Sequence, residues 1–258
     1  DKQDYPPSHL LFYKFFIPRF LKKAASVATV SQFYKDAIIR HYKVAPGKIN
    51  VVYSAANPVF KPLPWTEHAA IKETYTEGKE YFIYVGAIHP RKNLLNLLKA
   101  FSKFKKWQRS SFKLVLAGPL HWKGNGFLEL LKTYKYRQDV VLLNHVEQEA
   151  LPPLLGAAYA LVYPSIVEGF GTPVLEAMAC EVPVLTSAGS AMQEAAGEAA
   201  LYFNPHDVDD MAQQLMTIYK DEDKRSQLIE KGKEARGKYS WQKTADALWQ
   251  SIEAAAKG

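Results

Sequence analysis

Two glutamates, Glu168 and Glu176, stand on either side of a glycine-bracketed turn in the stretch YPSIVEGFGTPVLEAMACEVPVL, residues 163–185. Thr172 is a favourable helix N-cap and Pro173 a favourable first helical residue, so the sequence predicts a helix that begins here. The first N–H groups of a helix have no partners within it, and with the helix dipole they form an anion site. A carboxylate on each side of such a turn suits a ligand with a phosphate in the middle and hydroxyl donors at both ends.

The glycines of this turn, Gly169 and Gly171, have no Cβ atom and would let a ligand approach the backbone closely. We expect its free N–H groups near Val174 and Leu175. A nucleotide sugar is a ligand of the required kind, because its diphosphate lies between a ribose and a hexose. The alternative is that one carboxylate only complements the helix dipole while the other is a surface residue.

A pair of cations, Arg91 and Lys92, lies in the stretch GAIHPRKNLL, residues 86–95, which follows another apolar run. Cations beside an N–H-rich helix start suit a diphosphate. The alternative is a solvated surface pair, but a helix N-terminus is an unfavourable place for surface cations. The pairing of this loop with the loop of Glu168 therefore favours a function.

The elements that must position these loops are short apolar runs that alternate with helix-like stretches from residue 81 onward. This pattern predicts an α/β fold, a Rossmann-like doubly wound parallel sheet covered by helices on both faces. The runs are 81–87, 112–118, 139–146, 159–165, 182–188 and 199–205. In the strand order 3-2-1-4-5-6, the first and fourth runs are neighbours where the order reverses, so both loops would open into one crevice.

The chain before this sheet contains one strand–helix–strand unit, with strand-like stretches at 25–31 and 48–55. Such a unit is too small for an independent parallel sheet, so we interpret it as part of a second, partial α/β domain. Three prolines in NPVFKPLPW indicate a linker after it. The predicted divisions are 1–58, a partial domain; 59–80, a linker and lead-in; 81–240, a complete domain; and 241–258, a C-terminal helix.

Composition excludes several classes of protein. The chain has 258 residues, 48% of them hydrophobic, and a net charge of +7 without a long Lys/Arg block, so we expect no nucleic-acid partner. Its one cysteine, Cys180, excludes a disulfide framework and points to a reducing, cytoplasmic compartment. No run is apolar enough to span a membrane, and no signal peptide is visible. The first residue is Asp1 rather than Met, from which we expect a fragment.

The stretch SHLLFYKFFIPRFLKK, residues 8–23, is aromatic and basic. It could lie on an anionic membrane surface, as a peripheral contact at the inner face of the membrane. The alternative is a helix that covers the rest of a sheet. If the apolar faces of 8–23 and 49–53 lack their native partners, we expect the chain to self-associate.

Three stretches together resemble the retaining GT-B glycosyltransferases of the large family called glycosyl transferases group 1. EGFGTPVLEAMACEVPVLTS is similar to the family's signature, YVGAIHPRKNLLNLLKAF to its phosphate-binding segment, and VSQFYKDAIIRHYKVAPGKINVVYSAANPVF to its domain junction. The resemblance covers roughly residues 25 to 250. It is strongest to a bacterial subgroup that elongates surface polysaccharides, often from GDP-mannose.

The resemblance implies a donor-binding domain at 81–240 and the end of an acceptor-side domain at 1–58. It implies transfer of a hexose, with mannose favoured, from a nucleotide-diphosphate sugar to a saccharide or lipid-linked acceptor. The implied catalytic residues are Glu168, Lys92 and Arg91, and the donor-binding residues are Gly86, Val146, Gly169, Phe170, Gly171, Thr172, Glu176 and Ser190. Val146 would lie near the base, Glu176 would hold the ribose hydroxyls, and the loop 189–194 would lie near the nucleotide.

The expected chemistry passes through an oxocarbenium-like transition state and needs neither a metal nor another cofactor. The pairs DVD, 207–209, and DED, 221–223, resemble metal-binding motifs of a different fold, but they stand at predicted helix starts, where acids are common. Many family members carry Arg directly after the glycine of the first strand, and here that residue is Ala87. This departure leaves open a non-catalytic nucleotide-binding scaffold, whereas a dinucleotide oxidoreductase would require a G-x-G-x-x-G motif that is absent. We expect the chain by itself to bind donor without transferring sugar.

Overall fold

The computed structural model describes residues 7–120 and 126–257 of the chain. In these residues the strands are β1 Val27–Thr29, β2 Ile49–Val51, β3 Tyr81–Val85, β4 Lys113–Ala117, β5 Val140–Leu143, β6 Ala160–Tyr163, β7 Val184–Ser187 and β8 Ala200–Phe203. The helices are α1 Pro7–Lys23, α2 Gln32–Tyr42, α3 Trp65–Thr76, α4 Leu94–Gln108, α5 Gly126–Lys132, α6 Leu151–Gly156, α7 Thr172–Ala179, α8 Ala191–Ala196, α9 Val208–Lys220, α10 Glu222–Arg236 and α11 Trp241–Lys257.

The main sheet has six parallel strands in the order β5-β4-β3-β6-β7-β8. Counted from β3, this is the order 3-2-1-4-5-6, so the predicted doubly wound fold is confirmed. Every residue of β3, β4, β6 and β7 is buried, because helices cover both faces of the sheet. The order reverses between β3 and β6, and the loops that follow these two strands share one edge.

Helix α4 follows the loop of the two cations and shows why this part of the sheet is rigid. Leu94, Leu97, Phe101 and Phe104 recur at helical spacing, and all four are fully buried. The ring of Phe104 packs edge-on against that of Phe82 in β3, with centroids 5.2 Å apart. The start of α4 is therefore fixed relative to the sheet by its apolar face.

The tail forms three helices with breaks at Asp221 and near Tyr239, as the pattern predicts. The acidic pairs serve as helix caps. The Asp207 carboxylate accepts hydrogen bonds from the backbone N–H groups of Asp209 and Asp210, and the Asp221 carboxylate accepts one from Lys224. These contacts agree with the interpretation of both pairs as helix starts.

The 59–80 segment is less extended than its prolines suggest, because α3 occupies most of it. Strand β5 ends at Leu143, so Val146 lies in the loop beyond it rather than in the strand. The strand propensity of Asn144 and His145 is low, which is consistent with this earlier end.

The first unit consists of α1, the parallel pair β1–β2 and α2, and α11 packs against it. The Thr244 hydroxyl donates to the carbonyl of Tyr53 at 2.7 Å, and the Asn50 amide donates to the Ser251 hydroxyl at 3.1 Å. Ile49 is fully buried, so its face of β2 packs within the chain, and the condition for self-association through this face is not met. The C-terminal helix thus completes the first unit rather than the second.

Helix α1 continues through Pro18 and keeps much of its apolar surface in solvent. Its exposed large side chains are Leu11, Phe12, Tyr13, Phe15 and Phe20. Among the described residues, no helix combines the length and the apolar character that crossing a membrane requires.

A close backbone contact joins β3 and β4 where both strands end. Gly86 and Gly118 have φ angles of +143° and +147°, and the Gly86 N–H donates to the carbonyl of Ala117 at 2.9 Å. A Cβ atom on Gly118 would lie 2.2 Å from the carbonyl oxygen of Gly86. Only glycine at 118 therefore lets these two chain segments approach so closely.

We predict that Gly118→Ala lowers the free energy of unfolding by about 2–5 kcal/mol, because it combines a steric clash with a strained backbone. Urea denaturation followed by circular dichroism would measure the change. Gly47→Ala is the matched control, since a Cβ atom there meets nothing within 4 Å and the backbone is unstrained. Equal stabilities of the two variants would contradict the contact.

Candidate functional site

The residues predicted to bind a ligand lie at the carboxyl edge of the main sheet. Gly86 follows β3, Val146 follows β5, the turn 168–172 follows β6, and Ser190 follows β7. In a doubly wound sheet this edge, at the point where the strand order reverses, forms a crevice. The topology therefore brings loops that are distant in sequence to the same side of the sheet.

The Glu168 carboxylate is the meeting point of the two predicted cations. Its Oε1 accepts a hydrogen bond from Lys92 Nζ at 2.5 Å and another from Arg91 Nη1 at 2.9 Å. Arg91 Nη1 also donates to the carbonyl of Val167 at 2.7 Å. The three side chains, which the sequence assigned to two facing loops, thus form one charge network.

Lys92 is the most buried member of this network. Its side chain is 10% exposed, and Nζ also donates to the Tyr163 hydroxyl at 3.0 Å. Burial lowers the pKa of Lys92, and the Glu168 carboxylate opposes that shift by favouring the ammonium form. An ammonium group has three donors, so the hydrogen bonds to Glu168 and Tyr163 leave one N–H that can meet an anion.

Backbone and amide contacts hold the two loops together, and the sequence did not reveal them. Asn93 adopts a left-handed conformation with φ +60°, and its side-chain amide donates to the carbonyls of Pro164 and Pro205 at 3.2 and 2.6 Å. The Ile166 N–H donates to the carbonyl of Arg91 at 3.0 Å. A polar residue directly after the cation pair and before an apolar helix was the available signal for Asn93.

The helix of the predicted anion site begins differently from expectation. Gly171, with φ +89°, is the capping residue of α7, and Thr172 is its first residue and makes no side-chain cap. The Val174 N–H is not free, because it donates to the Gly171 carbonyl at 2.9 Å. A Cβ atom on Gly171 would lie 2.8 Å from Met192, so glycine provides the tight turn that a side chain at this position would prevent.

Phe170 lies in the same turn but directs its side chain into the protein. Its ring is buried and packs against Tyr53 and Tyr239, with centroids 5.4 and 5.1 Å away. Phe170 can therefore offer a ligand only its backbone. Gly169, beside it, faces Val30 of the first unit, whose Cγ2 would lie 3.4 Å from a Cβ atom there.

Glu176 and Ser190 are polar groups without partners among the described residues. Burial raises the pKa of the Glu176 carboxyl from 4.5 to about 7, and none of the hydrogen bonds or ion pairs of the described chain reaches it. The Ser190 hydroxyl is buried and unpaired as well. Unpaired buried polar groups are costly, and a ligand with hydroxyl or phosphate groups would satisfy them.

The remaining residues singled out in the sequence have contacts that support the local structure. Val146 is half-buried and packs against the core. The Ala87 carbonyl accepts a hydrogen bond from the Tyr84 hydroxyl at 2.9 Å, and His89 accepts one from the Arg91 N–H, which supports the turn before Lys92. Cys180 is buried, as expected of a small residue on the helix.

Candidate metal sites are absent from residues 7–120 and 126–257, where no group of three His, Cys, Asp or Glu residues is close enough to hold an ion. Arg91, Lys92 and Glu168 place two cations and one carboxylate beside the turn 168–172. Two cations beside a carboxylate can share their charge with an incoming diphosphate.

We predict that Glu176→Gln raises the free energy of unfolding, relative to wild type, more at pH 8 than at pH 4.5. Above pH 4.5 the unfolded chain loses the Glu176 proton while the folded protein retains it to about pH 7, so the wild type loses stability across this window. Because glutamine cannot ionise, the variant should gain about 2 kcal/mol relative to wild type between these pH values. Urea denaturation at both pH values measures this. The exposed Glu149→Gln is the control, and an identical pH response of Glu176→Gln and wild type would refute the burial of the carboxylate.

Comparison with known proteins places the chain among sugar transferases. It is 31% identical over 223 residues to O-antigen chain mannosyltransferase B of Escherichia coli, a match that covers 86% of this chain and 58% of that protein. The chain thus spans less than two thirds of that relative's length.

Solved structures share the fold. Sucrose-phosphate synthase of Thermosynechococcus elongatus superposes with a TM-score of 0.81 over 98% of this chain and 63% of its own, at 23% identity. The Anabaena protein Alr3699/HepE in complex with UDP and glucose gives 0.80 over 100% and 69%, at 16% identity. The family model for glycosyl transferases group 1 matches residues 67–235, most of the chain. The chain therefore belongs to the glycosyl transferases group 1 family.

Proposed function

We propose that the protein transfers a hexose, with mannose favoured, from a nucleotide-diphosphate sugar to a saccharide or lipid-linked acceptor in surface polysaccharide synthesis. The observation that carries this proposal is the convergence of Lys92 and Arg91 on Glu168 beside the Gly169–Gly171 turn. The Escherichia coli relative is named an O-antigen chain mannosyltransferase, which supports both the sugar and the polymer. The reaction retains the configuration of the sugar and uses no metal.

The diphosphate of the donor lies between the cations and the turn in this proposal. As the bond to the hexose breaks, negative charge grows on the leaving diphosphate, and preorganised cations stabilise it most at that point. The third N–H of Lys92 and the guanidinium of Arg91 supply this charge. The Anabaena structure, which contains UDP and glucose on the same fold, supports a nucleotide-sugar donor.

Glu168 has two roles in this mechanism. Before the donor binds, its carboxylate holds both cations near the turn and compensates the charge of the buried Lys92. When the donor is present, the diphosphate shares the cations, and the carboxylate faces the hexose, where it stabilises the positive charge of an oxocarbenium-like transition state. Glu176 and Ser190 have no side-chain partner in the described part of the chain; in the proposal Glu176 accepts hydrogen bonds from the ribose hydroxyls and Ser190 donates one to the nucleotide.

The second candidate function is a nucleotide-binding domain without catalysis. It is favoured by Ala87, which stands where many family members carry an arginine, so the leaving group has fewer cations. Such a domain would bind the diphosphate through the same network and release no sugar. Incubation with GDP-mannose and a saccharide acceptor separates the two functions when this donor-binding domain is joined to a complete acceptor-side domain, because only the transferase then produces GDP.

We propose a peripheral position at the inner face of the membrane. Helix α1 contains no acid, carries Lys14, Arg19, Lys22 and Lys23, and exposes five large apolar side chains. Apolar contact together with attraction between cations and anionic lipids binds such helices to a membrane surface.

We predict that the protein sediments with phosphatidylglycerol vesicles at least about tenfold better than with phosphatidylcholine vesicles, since each surface cation adds roughly 1 kcal/mol. The double variant Phe12→Ser, Phe20→Ser should lose this binding. Trp65→Ser removes an even more exposed aromatic ring from α3 and is the control. Equal binding to both kinds of vesicle, or light scattering that shows dimers through α1 instead, would contradict the membrane position.

We predict that Lys92→Met weakens GDP or UDP binding about tenfold or more, because it removes a charge-assisted hydrogen bond of roughly 1.5–3 kcal/mol. Guanosine or uridine, which has no phosphate, should bind both proteins equally, and the wild-type affinity for the diphosphate should fall as salt rises. Isothermal titration calorimetry measures all of these. Lys99→Met, an exposed lysine on α4, is the control. Equal losses for nucleoside and diphosphate would place Lys92 away from the phosphates.

A further inference from the structure

Glu194, on α8, binds the start of a helix that belongs to the other unit. Its Oε1 accepts a hydrogen bond from the Gln32 N–H at 2.8 Å, and its Oε2 accepts one from the Phe33 N–H at 3.0 Å. Both N–H groups lie in the first turn of α2. A carboxylate at this position satisfies two otherwise unpaired donors and complements the positive end of the helix dipole.

The cap is shared between the two units. Ser31, fully buried, accepts the next hydrogen bond, from the Tyr34 N–H at 3.2 Å. Burial and then the nearby Glu194 carboxylate raise the pKa of Tyr53, which follows β2. The Tyr239 hydroxyl donates to the Glu194 carbonyl at 3.1 Å. Serine alone would be an ordinary N-cap, so α2 does not need a carboxylate from α8 in order to form.

The residues on either side of this contact touch the turn that follows Glu168. Val30, two residues before α2, lies against Gly169, since its Cγ2 would be at van der Waals distance, 3.4 Å, from a Cβ atom at 169. Met192, two residues before Glu194, packs against Gly171. Glu194 therefore ties together the segment that covers the turn from the first unit and the helix that supports the turn from the second.

We infer that Glu194 is a positioning residue that holds the first unit against the turn 168–172 and so fixes Val30 beside Gly169. We call its contact with the N–H groups of Gln32 and Phe33 the latch. The inference rests on the proposed function, because the turn that Val30 covers at Gly169 is the turn beside which the hexose end of a nucleotide sugar lies in that proposal. The nucleotide end lies on the second unit alone. The latch thus acts on the hexose portion of the donor and leaves the nucleotide portion unaffected.

The rival role for Glu194 is general stabilisation by a helix cap. Loss of a cap that only adds stability would change the affinity for every ligand equally, or for none. Loss of a latch distinguishes the ligands. It lowers the affinity for a nucleotide sugar, which touches both units, and leaves the affinity for the nucleoside diphosphate unchanged. Removal of the Glu194 carboxylate also has a local effect, because the N–H groups of Gln32 and Phe33 lose their acceptor.

The test is amide hydrogen exchange combined with calorimetry on the full chain. In Glu194→Ala the amides of Gln32 and Phe33 should exchange at least about tenfold faster, as expected from the loss of charge-assisted hydrogen bonds. Affinity for GDP-mannose should fall about tenfold, while affinity for GDP stays within about twofold. For Glu194→Gln, which keeps one acceptor, the exchange rates and the affinity for GDP-mannose should lie between those of Glu194→Ala and wild type. Glu194→Gln also provides the measurement if the alanine variant does not fold.

The control is Glu198→Ala, which removes the same charge four residues later. Glu198 pairs with Lys231 of the second unit, at 2.8 Å, so its loss should leave both readouts unchanged. Unchanged exchange at Gln32 and Phe33 in the Glu194 variants overturns the latch. Faster exchange with equal losses for GDP and GDP-mannose, or with no loss, also overturns it. If wild type binds neither GDP nor UDP, the proposed function fails, whereas the exchange result still decides whether the latch exists.

Discussion

The pairing of Lys92 with Glu168 is the interaction on which the carboxyl edge of the main sheet depends. A buried ammonium group is stable only beside a compensating charge, and removal of either partner leaves the other uncompensated. Lys92 stands at the start of α4 and Glu168 beyond the end of β6, so the pair joins the two segments that meet where the strand order reverses. Asn93 and the Ile166 N–H add neutral hydrogen bonds to the same junction. The charge network and the fold thus specify the same point of the sheet.

Burial disfavours the charged form of both Lys92 and Glu176, but of these two groups Lys92 alone has a compensating partner. Burial opposes the ammonium form of Lys92, but Glu168 stands beside it and restores part of that loss. Glu176 is desolvated without any such partner, and its pKa rises to about 7. The charge of Lys92 is therefore compensated in the absence of ligand, whereas the carboxyl group of Glu176 has no compensating partner. This difference agrees with a network that awaits an anion and a carboxyl group that awaits hydroxyl donors.

Periodicity was sufficient to predict the parallel sheet and the tail helices, because apolar runs such as 81–87 and 112–118 are buried on both faces and carry little ambiguity. The strand order came from the common order of doubly wound folds. The residue types in the two loops were also sufficient to bring Arg91, Lys92 and Glu168 into one hypothesis. The details that failed depend on contacts between distant residues. Gly171 rather than Thr172 caps α7 because Met192 packs against the turn, and β2 is covered because α11 returns to it. Neither partner is encoded near the residue that it affects.

The return of α11 to the first unit means that the backbone passes between the two units twice. The first passage leaves β2 and runs through residues 52–64, and the second leaves α10 and runs through 237–240. The two passages lie side by side, since the Trp241 indole N–H donates to the carbonyl of Ala56 at 3.0 Å. Two adjacent covalent connections restrict twisting and sliding much more than they restrict bending about the line that joins them. Any opening of the protein is therefore a rotation about this axis, which moves Val30 away from Gly169 along a single path.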